Sequence, residues 1–316
     1  MLLLAIPVLT ISAWAQTANT GAISGTVTDP SGAVVAGAQI TATNRATGEV
    51  RTTRSTRAGL YSLNQLAPGV YAVDAAQSGF KAAHVDGLQV NVTETRNVNI
   101  PLAVGSKDES VTVIETGTEL QIDNSAVGTV TEGAVVNSLP LVSRNYTQII
   151  ALNPGVASEV TNAGELGRGG GSNGDDAFVA AGTSNRDNNF QMNGVEINDL
   201  QQSGNFSGGV ATPNPDTIQE FKVQTSQYDA SYGRNAGANV DVITKGGSNQ
   251  FHGNVFEFFR NEDLNANDYF RKQNGQPRPE LRQNQYGMTF GGPVVHDKLL
   301  FFTSYQGTRQ TNGVDP

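Results

Sequence analysis

The residue types that carry most enzyme chemistry are scarce in this 316-residue sequence. It contains no cysteine, which excludes a disulfide framework, a thiolate zinc site and a cysteine nucleophile. Its three histidines, His84, His252 and His296, are widely separated and lack the spacing of a metal site. We therefore predict a protein that is not an enzyme, with no catalytic residues, no bound metal and no cofactor.

A glycine-rich segment, GELGRGGGSNGDD at 164–176, raises the possibility of a phosphate or calcium loop. A phosphate-binding P-loop needs a Gly-Lys-Ser/Thr ending and a following helix, and this segment has neither. Asp175 and Asp176 supply oxygen ligands, but without the spaced ligand series of a calcium loop. We interpret the segment as a loop whose acids are solvated.

The formal net charge of −9 is concentrated in the middle of the chain. Residues 16–103 carry five acids and six bases, and residues 246–316 carry seven of each. Residues 104–245 carry seventeen acids and seven bases. A protein that binds nucleic acid needs a basic face to neutralise phosphates. The pI near 4.8 therefore argues against a nucleic-acid partner.

The N-terminal residues predict export. Residues 2–12 (LLLAIPVLTIS) are apolar, but a membrane-spanning helix needs about 20 such residues. The following Ala13-Trp14-Ala15-Gln16 fits an A-x-A cleavage site. We predict a signal peptide at 1–15 and a mature chain that starts near Gln16. The lack of a basic n-region suggests that the true start codon lies a few residues away.

Residues 16–103 alternate polar and apolar residues with a period of two, as in ISGTV (23–27) and AQITA (38–42). Turn signals such as Asp29-Pro30-Ser31-Gly32 and Pro68-Gly69 separate the alternating runs. Six or seven short strands with this spacing predict a small β-sandwich.

The same region resembles a known domain family. The segments GTVTDPSGAVVAGA (25–38), GLYSLNQLAPGVYAV (59–73) and GF (79–80) are similar to the carboxypeptidase regulatory-like domain. The resemblance implies a transthyretin-like sandwich without catalytic residues of its own. We expect Tyr61 and Tyr71 to lie in its core.

Residues 104–119 (VGSKDESVTVIETGTE) form a polar linker with a short β-prone run. Such a run can pair with the edge of another protein's sheet. It is a candidate partner-binding segment, made of Ser110, Val111, Thr112, Val113 and Ile114. The alternative is that these residues form the last strand of the sandwich.

Residues 120–247 combine short helices with strands. Pro140 and Asn153-Pro154-Gly155 are expected to end helices near 132–139 and 146–152. Residues 189–197 (NFQMNGVEI) read as two strands joined by an Asn-Gly turn. PNPDTIQE (213–220) starts a short helix, and FKVQT (221–225) and the run at 238–244 are strands.

Several motifs in the middle and C-terminal regions resemble the plug domain of TonB-dependent outer-membrane receptors. They are MNGVEI (192–197), PNPDTIQEFKV (213–223), SYGRNAGANVDVITKGGSN (231–249) and FHGNVFEFFRNEDLNANDYF (251–270). With the N-terminal sandwich, the chain is similar to the Oar-like group of that family. The resemblance implies that residues 110–114 are the TonB box, which pairs with a periplasmic energy-transducing protein of the TonB type. It also implies contact with outer-membrane lipid and with an extracellular ligand that the sequence does not identify.

Residues 248–316 predict the start of a transmembrane β-barrel. Tyr286, Met288 and Phe290 share one face of a strand, and residues 299–306 and 251–259 form two more. A long polar stretch at 260–284 and a short connector at 292–298 match the unequal loops of outer-membrane barrels. Plugged transporters have about 22 strands, so we expect the chain to be an N-terminal fragment. A soluble β-sheet is the alternative.

The sequence therefore predicts a mainly β protein with an N-terminal transthyretin-like β-sandwich, an α+β plug domain and the first strands of an outer-membrane β-barrel. The expected boundaries are 1–15 for the signal peptide, 16–103 for the sandwich, 104–119 for the linker, 120–247 for the plug and 248–316 for the barrel. The expected function is TonB-dependent uptake of a ligand across the outer membrane. The alternative is an exported β-sandwich adhesion or scaffold protein without transport activity.

Overall fold

The structure is a computed structural model. It describes residues 19–105, 110–113, 128–139, 141, 144, 146–150, 152–158, 178–180, 182–183, 187–198, 213–225, 228, 232–233 and 235–312. The predicted signal peptide at 1–15 and the glycine-rich segment at 164–176, with Asp175 and Asp176, lie outside the described residues.

The N-terminal region is a two-layer β-sandwich, as the alternating pattern predicts. Its strands are β1 (Gly21–Thr28), β2 (Gln39–Asn44), β3 (Val50–Arg54), β4 (Leu60–Leu66), β5 (Gly69–Ala76), β6 (Ala82–Val90), β7 (Thr95–Asn97), β8 (Ile100–Pro101) and β9 (Ser110–Val113). One sheet has the order β4-β1-β7, with β8 also paired to β1, and the other has the order β3-β2-β5-β6-β9.

The sandwich core lies between these two sheets. Alternate residues of β1 are buried, so Ile23 and Val27 face Ile40 and the other inward residues of the second sheet. Tyr61 and Tyr71 are buried as expected. Their hydroxyls donate to the backbone oxygens of Val98 at 2.7 Å and Ala67 at 2.8 Å, which satisfies the polar end of each ring.

The middle region contains a mixed sheet, here called the plug sheet, in the order β10-β15-β16-β13-β14. Its strands and the nearby short elements are β10 (Gly128–Glu132), α1 (Gly133–Ser138), α2 (Thr147–Ile150), β11 (Val156–Ser158), β12 (Phe178–Ala180), β13 (Asn189–Met192), β14 (Val195–Glu196), β15 (Ile218–Gln224) and β16 (Asn239–Thr244). A 3-10 helix, Pro215–Thr217, precedes β15, so the helix expected from residue 213 is only three residues long.

Local sequence explains two features of the plug sheet. Asn193 and Gly194 both have positive φ, at 50° and 78°, which fits the two-residue hairpin turn predicted between β13 and β14. One face of β15 carries Phe221 and Val223, which pack with Tyr146 and the other apolar residues around α2. Burial of this face holds the two short helices against the sheet.

The C-terminal region is an antiparallel three-stranded sheet, here called the hairpin sheet. Its strands are β17 (His252–Asn261), β18 (Leu281–Val295) and β19 (Leu299–Asn312), with a short helix α3 (Tyr269–Gln273) between β17 and β18. The strands are longer than predicted, which shortens the long connection to residues 262–280 and the turn to 296–298.

One face of the hairpin sheet is exposed and mostly apolar, although Glu257 lies opposite Tyr286 on it. The other face is mostly polar but also carries Phe256 and Phe258. Tyr286, Met288 and Phe290 of β18 are 42–50% exposed, as the alternation predicts, whereas Gln283 and Gln285 are buried on the other face. On the exposed face, rings of neighbouring strands lie together in the pairs Phe251–Phe290, Phe290–Phe301 and Tyr286–Tyr305, with centroids 5.5–6.4 Å apart. An apolar outward face with clustered aromatic rings is typical of outer-membrane barrel strands.

Candidate functional site

The candidate partner-binding segment lies at an edge of the sandwich. Ser110–Val113 form β9, which runs parallel to β6 with Ser110 opposite Ala82 and Val113 opposite Val85. This is the pairing expected if the segment is the last strand of the sandwich. Ile114, the fifth residue of the segment, lies outside the described residues. The role of residues 110–114 in binding a partner stays a prediction.

The sandwich and the plug sheet contact each other through three side chains of β15. The Val92 N–H donates to a Glu220 carboxylate oxygen at 2.6 Å. The Gln219 side-chain amide donates to the Pro68 carbonyl oxygen at 2.8 Å, and Lys222 Nζ donates to the Thr93 carbonyl oxygen at 3.3 Å. Hydrogen bonds from and to polar side chains of the plug therefore fix two loops of the sandwich, the one at Pro68 and the one at Val92 and Thr93.

Burial perturbs the ionisation of the charged groups at this contact. Burial raises the pKa of Glu220 to about 7, with the negative charges of Glu94 and Glu132 adding to the rise and the Val92 N–H opposing it. Burial also lowers the pKa of Lys222, although its acidic neighbours oppose that change. A buried group whose charge is so costly is sensitive to any movement that admits water.

The neighbouring strand completes a buried polar row on the same face of the plug sheet. Asp241 of β16 lies directly opposite Lys222 in the strand register. Burial raises the pKa of Asp241 to about 6, while a hydrogen bond donated by the Tyr232 hydroxyl at 2.9 Å and the charge of Lys222 lower it. Glu220, Lys222 and Asp241 thus form a row of ionisable groups on one face of the plug sheet, and Glu220 and Lys222 contact the loops of the sandwich.

A second polar cluster joins the plug to the hairpin sheet. The Arg144 guanidinium pairs with the Asp216 carboxylate and donates to the Asn214 side chain at 2.9 Å. It also lies over the rings of Phe256 and Phe258 of β17, 4.2 and 4.4 Å from their centroids. This placement combines a buried ion pair with two cation–π contacts.

Asp216 connects the same cluster to the strands behind it. Its second carboxylate oxygen accepts a hydrogen bond from the Asn254 side chain of β17 at 2.6 Å. Asn254 in turn accepts a hydrogen bond from the Thr289 hydroxyl of β18. The 3-10 helix positions Asp216, since the Asn214 side chain accepts its backbone N–H at 3.1 Å.

The sequence did not single out Arg144, Asp216, Glu220 or Lys222 as functional residues. Asp216, Glu220 and Lys222 fall within the PNPDTIQEFKV segment, which carried the family resemblance. Glu220 and Lys222 alternate with the apolar Phe221 and Val223 in β15, a pattern that is typical of a strand with one solvent-exposed face. That face is buried instead, because the sandwich covers it.

The two clusters described above consist of hydrogen bonds, an ion pair and cation–π contacts between packed elements. His84 lies 2.7 Å from Asp74 and His296 lies 3.0 Å from Asp297, both near the surface. In the part of the chain that the structure describes, no three His, Asp or Glu residues are grouped to hold a metal ion. No helix among the described residues combines the length and apolar character needed to cross a bilayer.

Three family models match successive parts of the chain. The Carboxypeptidase regulatory-like domain matches residues 22–103, the TonB-dependent Receptor Plug Domain matches 124–240, and the Outer membrane beta barrel domain matches 243–316. Each match falls on one of the sheet systems described above. The predicted fold class, with sandwich, plug and barrel strands, is confirmed.

The chain is also similar to a curated transporter. It is 24% identical over 317 residues to the TonB-dependent transporter Oar of Myxococcus xanthus, with 94% of this chain and 28% of that protein covered. The chain thus spans about 28% of the length of this relative. The resemblance to TonB-dependent receptors of the Oar-like group is confirmed by this match together with the three domain matches.

Solved structures of two receptors are similar to part of the chain. The siderophore receptor PirA from Acinetobacter baumannii shares 19% identity with a TM-score of 0.42, covering 60% of this chain and 25% of that one. A ferric enterobactin receptor mutant from Pseudomonas aeruginosa shares 16% identity with a TM-score of 0.43, with the same two coverages.

Proposed function

We propose that this chain, which carries the sandwich, plug and barrel domains of a TonB-dependent receptor of the Oar-like group, serves ligand uptake across the outer membrane. The sandwich and plug would lie on the periplasmic side or in the barrel lumen, after export directed by residues 1–15. The energy would come from a TonB-type protein that captures residues 110–114. The chain would act through binding and movement, without covalent chemistry.

One observation carries the proposal. The plug is fixed to the polar face of the hairpin sheet by Arg144, Asp216 and Asn254, while the opposite face of that sheet is apolar and aromatic. This is the arrangement that a plug inside a lipid-embedded barrel requires, because barrel strands alternate lipid-facing and lumen-facing residues. An exposed aromatic face of this kind marks an interaction surface, and lipid is the partner that fits a sheet whose other face holds the plug.

The test begins with the location of the full-length protein. Expressed with its own N-terminal residues, it should sediment with outer membranes and need detergent for release. Recovery of the full-length product in buffer without detergent would contradict the proposal and favour the exported adhesion or scaffold protein.

The second test addresses the energy-transducing partner. Val113→Pro removes a backbone N–H from the candidate segment, so it should abolish capture of the purified periplasmic domain of a TonB-type protein. Val50→Pro, at the first residue of the opposite edge strand β3, is the matched control and should leave capture unchanged. Equal capture by both variants would rule out residues 110–114 as the docking segment.

A further inference from the structure

The position of β9 assigns a role to the sandwich. We infer that the sandwich displays residues 110–113 as a preformed edge strand, onto which a strand of the TonB-type partner adds, so that the sandwich sheet continues into the partner's sheet. This inference rests on the proposed function, since it names how the partner docks rather than whether one exists.

The first support is the pairing geometry. Within the described residues, β9 pairs with one strand, β6, over the register Ala82–Ser110 to Val85–Val113. Backbone groups in a strand point alternately to its two sides. The pairing with β6 therefore leaves the second side of β9 for another strand, and parallel pairing fixes β9 in an extended conformation before the partner arrives.

The second support is the contrast between the two edges of this sheet. Natural proteins protect sheet edges with charged side chains, prolines or bulges. The β3 edge carries Arg51 and Arg54 among five residues that are mostly exposed. The β9 edge reads Ser-Val-Thr-Val, with no charge and no proline, so its sequence lacks the usual protection against an added strand.

The third support is the sequence on either side of β9. Residues 104–119 contain four acids and one lysine, with Asp108 and Glu109 immediately before the strand and Glu115 shortly after it. Acidic flanks favour a partner whose edge strand carries Lys or Arg, because complementary charge speeds encounter and fixes orientation. The fitting partner is thus a protein with an exposed, basic edge strand.

Two models of docking make opposite predictions. In one, the sandwich holds β9 in place while the partner binds; in the other, the partner must first detach β9 from the sandwich. If the sandwich displays β9, a covalent lock between β6 and β9 is harmless, and loss of the sandwich weakens capture because the segment must then be ordered on binding. If the partner must detach the segment from the sandwich, a covalent link between β6 and β9 should block capture. Loss of the sandwich should then strengthen capture.

The experiment uses a reversible lock in the full-length protein in outer-membrane vesicles. His84→Cys with Thr112→Cys places two cysteines at opposed register positions of β6 and β9, in a region with no other cysteine. The probe is the purified periplasmic domain of a TonB-type protein. Each single-cysteine variant is a matched control for the chemical treatment.

We expect the oxidised and reduced forms of the double variant to capture the probe within about threefold of each other. Loss of capture on oxidation, with recovery on reduction, would overturn the inference.

A deletion of residues 22–103 provides an independent measurement. Capture should then weaken about tenfold or more, because four unordered residues must be fixed at binding. Unchanged or stronger capture would overturn the inference. The Val113→Pro variant distinguishes failure of this inference from failure of the proposed function. If that variant still captures the probe, residues 110–114 are not the docking segment, whatever the result with the disulfide-linked variant.

Discussion

Burial of the Glu220 carboxyl, which accepts a hydrogen bond from the Val92 N–H, makes the contact between sandwich and plug depend on pH. We expect Glu220→Gln to strengthen this contact at pH 8 and to change it little at pH 5. Burial raises the pKa of Glu220 from 4.5 to about 7, so the ionised carboxylate opposes docking. Glutamine keeps an oxygen that accepts from Val92 but carries no charge.

The direction of this pH dependence follows from the difference in the pKa of Glu220 between the docked and undocked states. The pKa of Glu220 is higher in the docked state, so the stability from the protonated carboxyl is fully present below pH 4.5 and is lost as the pH rises through about 7. The full rise corresponds to roughly 3 kcal/mol. Solvent screening at the edge of the contact reduces this to about 2 kcal/mol, or about a 30-fold change in the opening equilibrium.

Hydrogen exchange at the Val92 amide measures this opening directly. Protection of a peptide covering 89–94, normalised to a reference peptide covering 71–76 in β5, should fall about 30-fold between pH 5 and pH 8 in the wild type. In Glu220→Gln the normalised protection should stay level. Glu196→Gln makes the same charge change on an exposed plug strand and should behave like the wild type. Parallel pH profiles for Glu220→Gln and the wild type would refute the reasoning.

Two further perturbations test the contacts of the hairpin sheet. Arg144→Met leaves the Asp216 charge buried without its partner, so it should destabilise the plug by about 3–5 kcal/mol and lower its melting temperature; a melting curve like that of the wild type would contradict the role of this pair. The side chain of Val255 on β17 is 87% exposed. Val255→Arg should therefore destabilise the inserted barrel by roughly 2–4 kcal/mol. The measurement is the loss of the folded band in gels of unheated samples. Val50→Arg on the sandwich is the control and should fold normally, and equal behaviour of the two arginine variants would argue against a lipid-facing β17.

Local patterns in the sequence were sufficient for most of the strands. Alternation between polar and apolar residues predicted β1 and β18, because burial of one face fixes the register of a strand. The hairpin at Asn193-Gly194 was predicted from the turn alone, since few residues other than Asn and Gly accept positive φ at both central positions. These features depend on neighbours within a few residues.

Strand ends were harder to predict. The pairing of β18 and β19 continues to Leu281 and Asn312, through polar residues that look like loop in sequence. In a sheet with one polar face, polar residues are compatible with strand, so composition does not mark where pairing stops. The lengths of β17, β18 and β19 depend on partner strands rather than on local propensity.

The polar clusters could not be predicted, because their members are distant in sequence. Arg144 and Asp216 are 72 residues apart, and Val92 and Glu220 are 128 apart. Nothing near Arg144 indicates that its charge is buried, and nothing near Glu220 indicates that a loop from another domain covers it. Such pairings arise only when separate units of the chain pack together.

The parallel pairing of β9 with β6 determines how the chain would respond to mechanical force. A pull on β9 along its own axis would load the backbone hydrogen bonds to β6 together, in shear, rather than opening them one after another. The same pull would reach the sandwich first, and through Val92 and Thr93 it would be transmitted to β15 of the plug sheet. The sandwich would then transmit the force applied by the periplasmic partner to the plug.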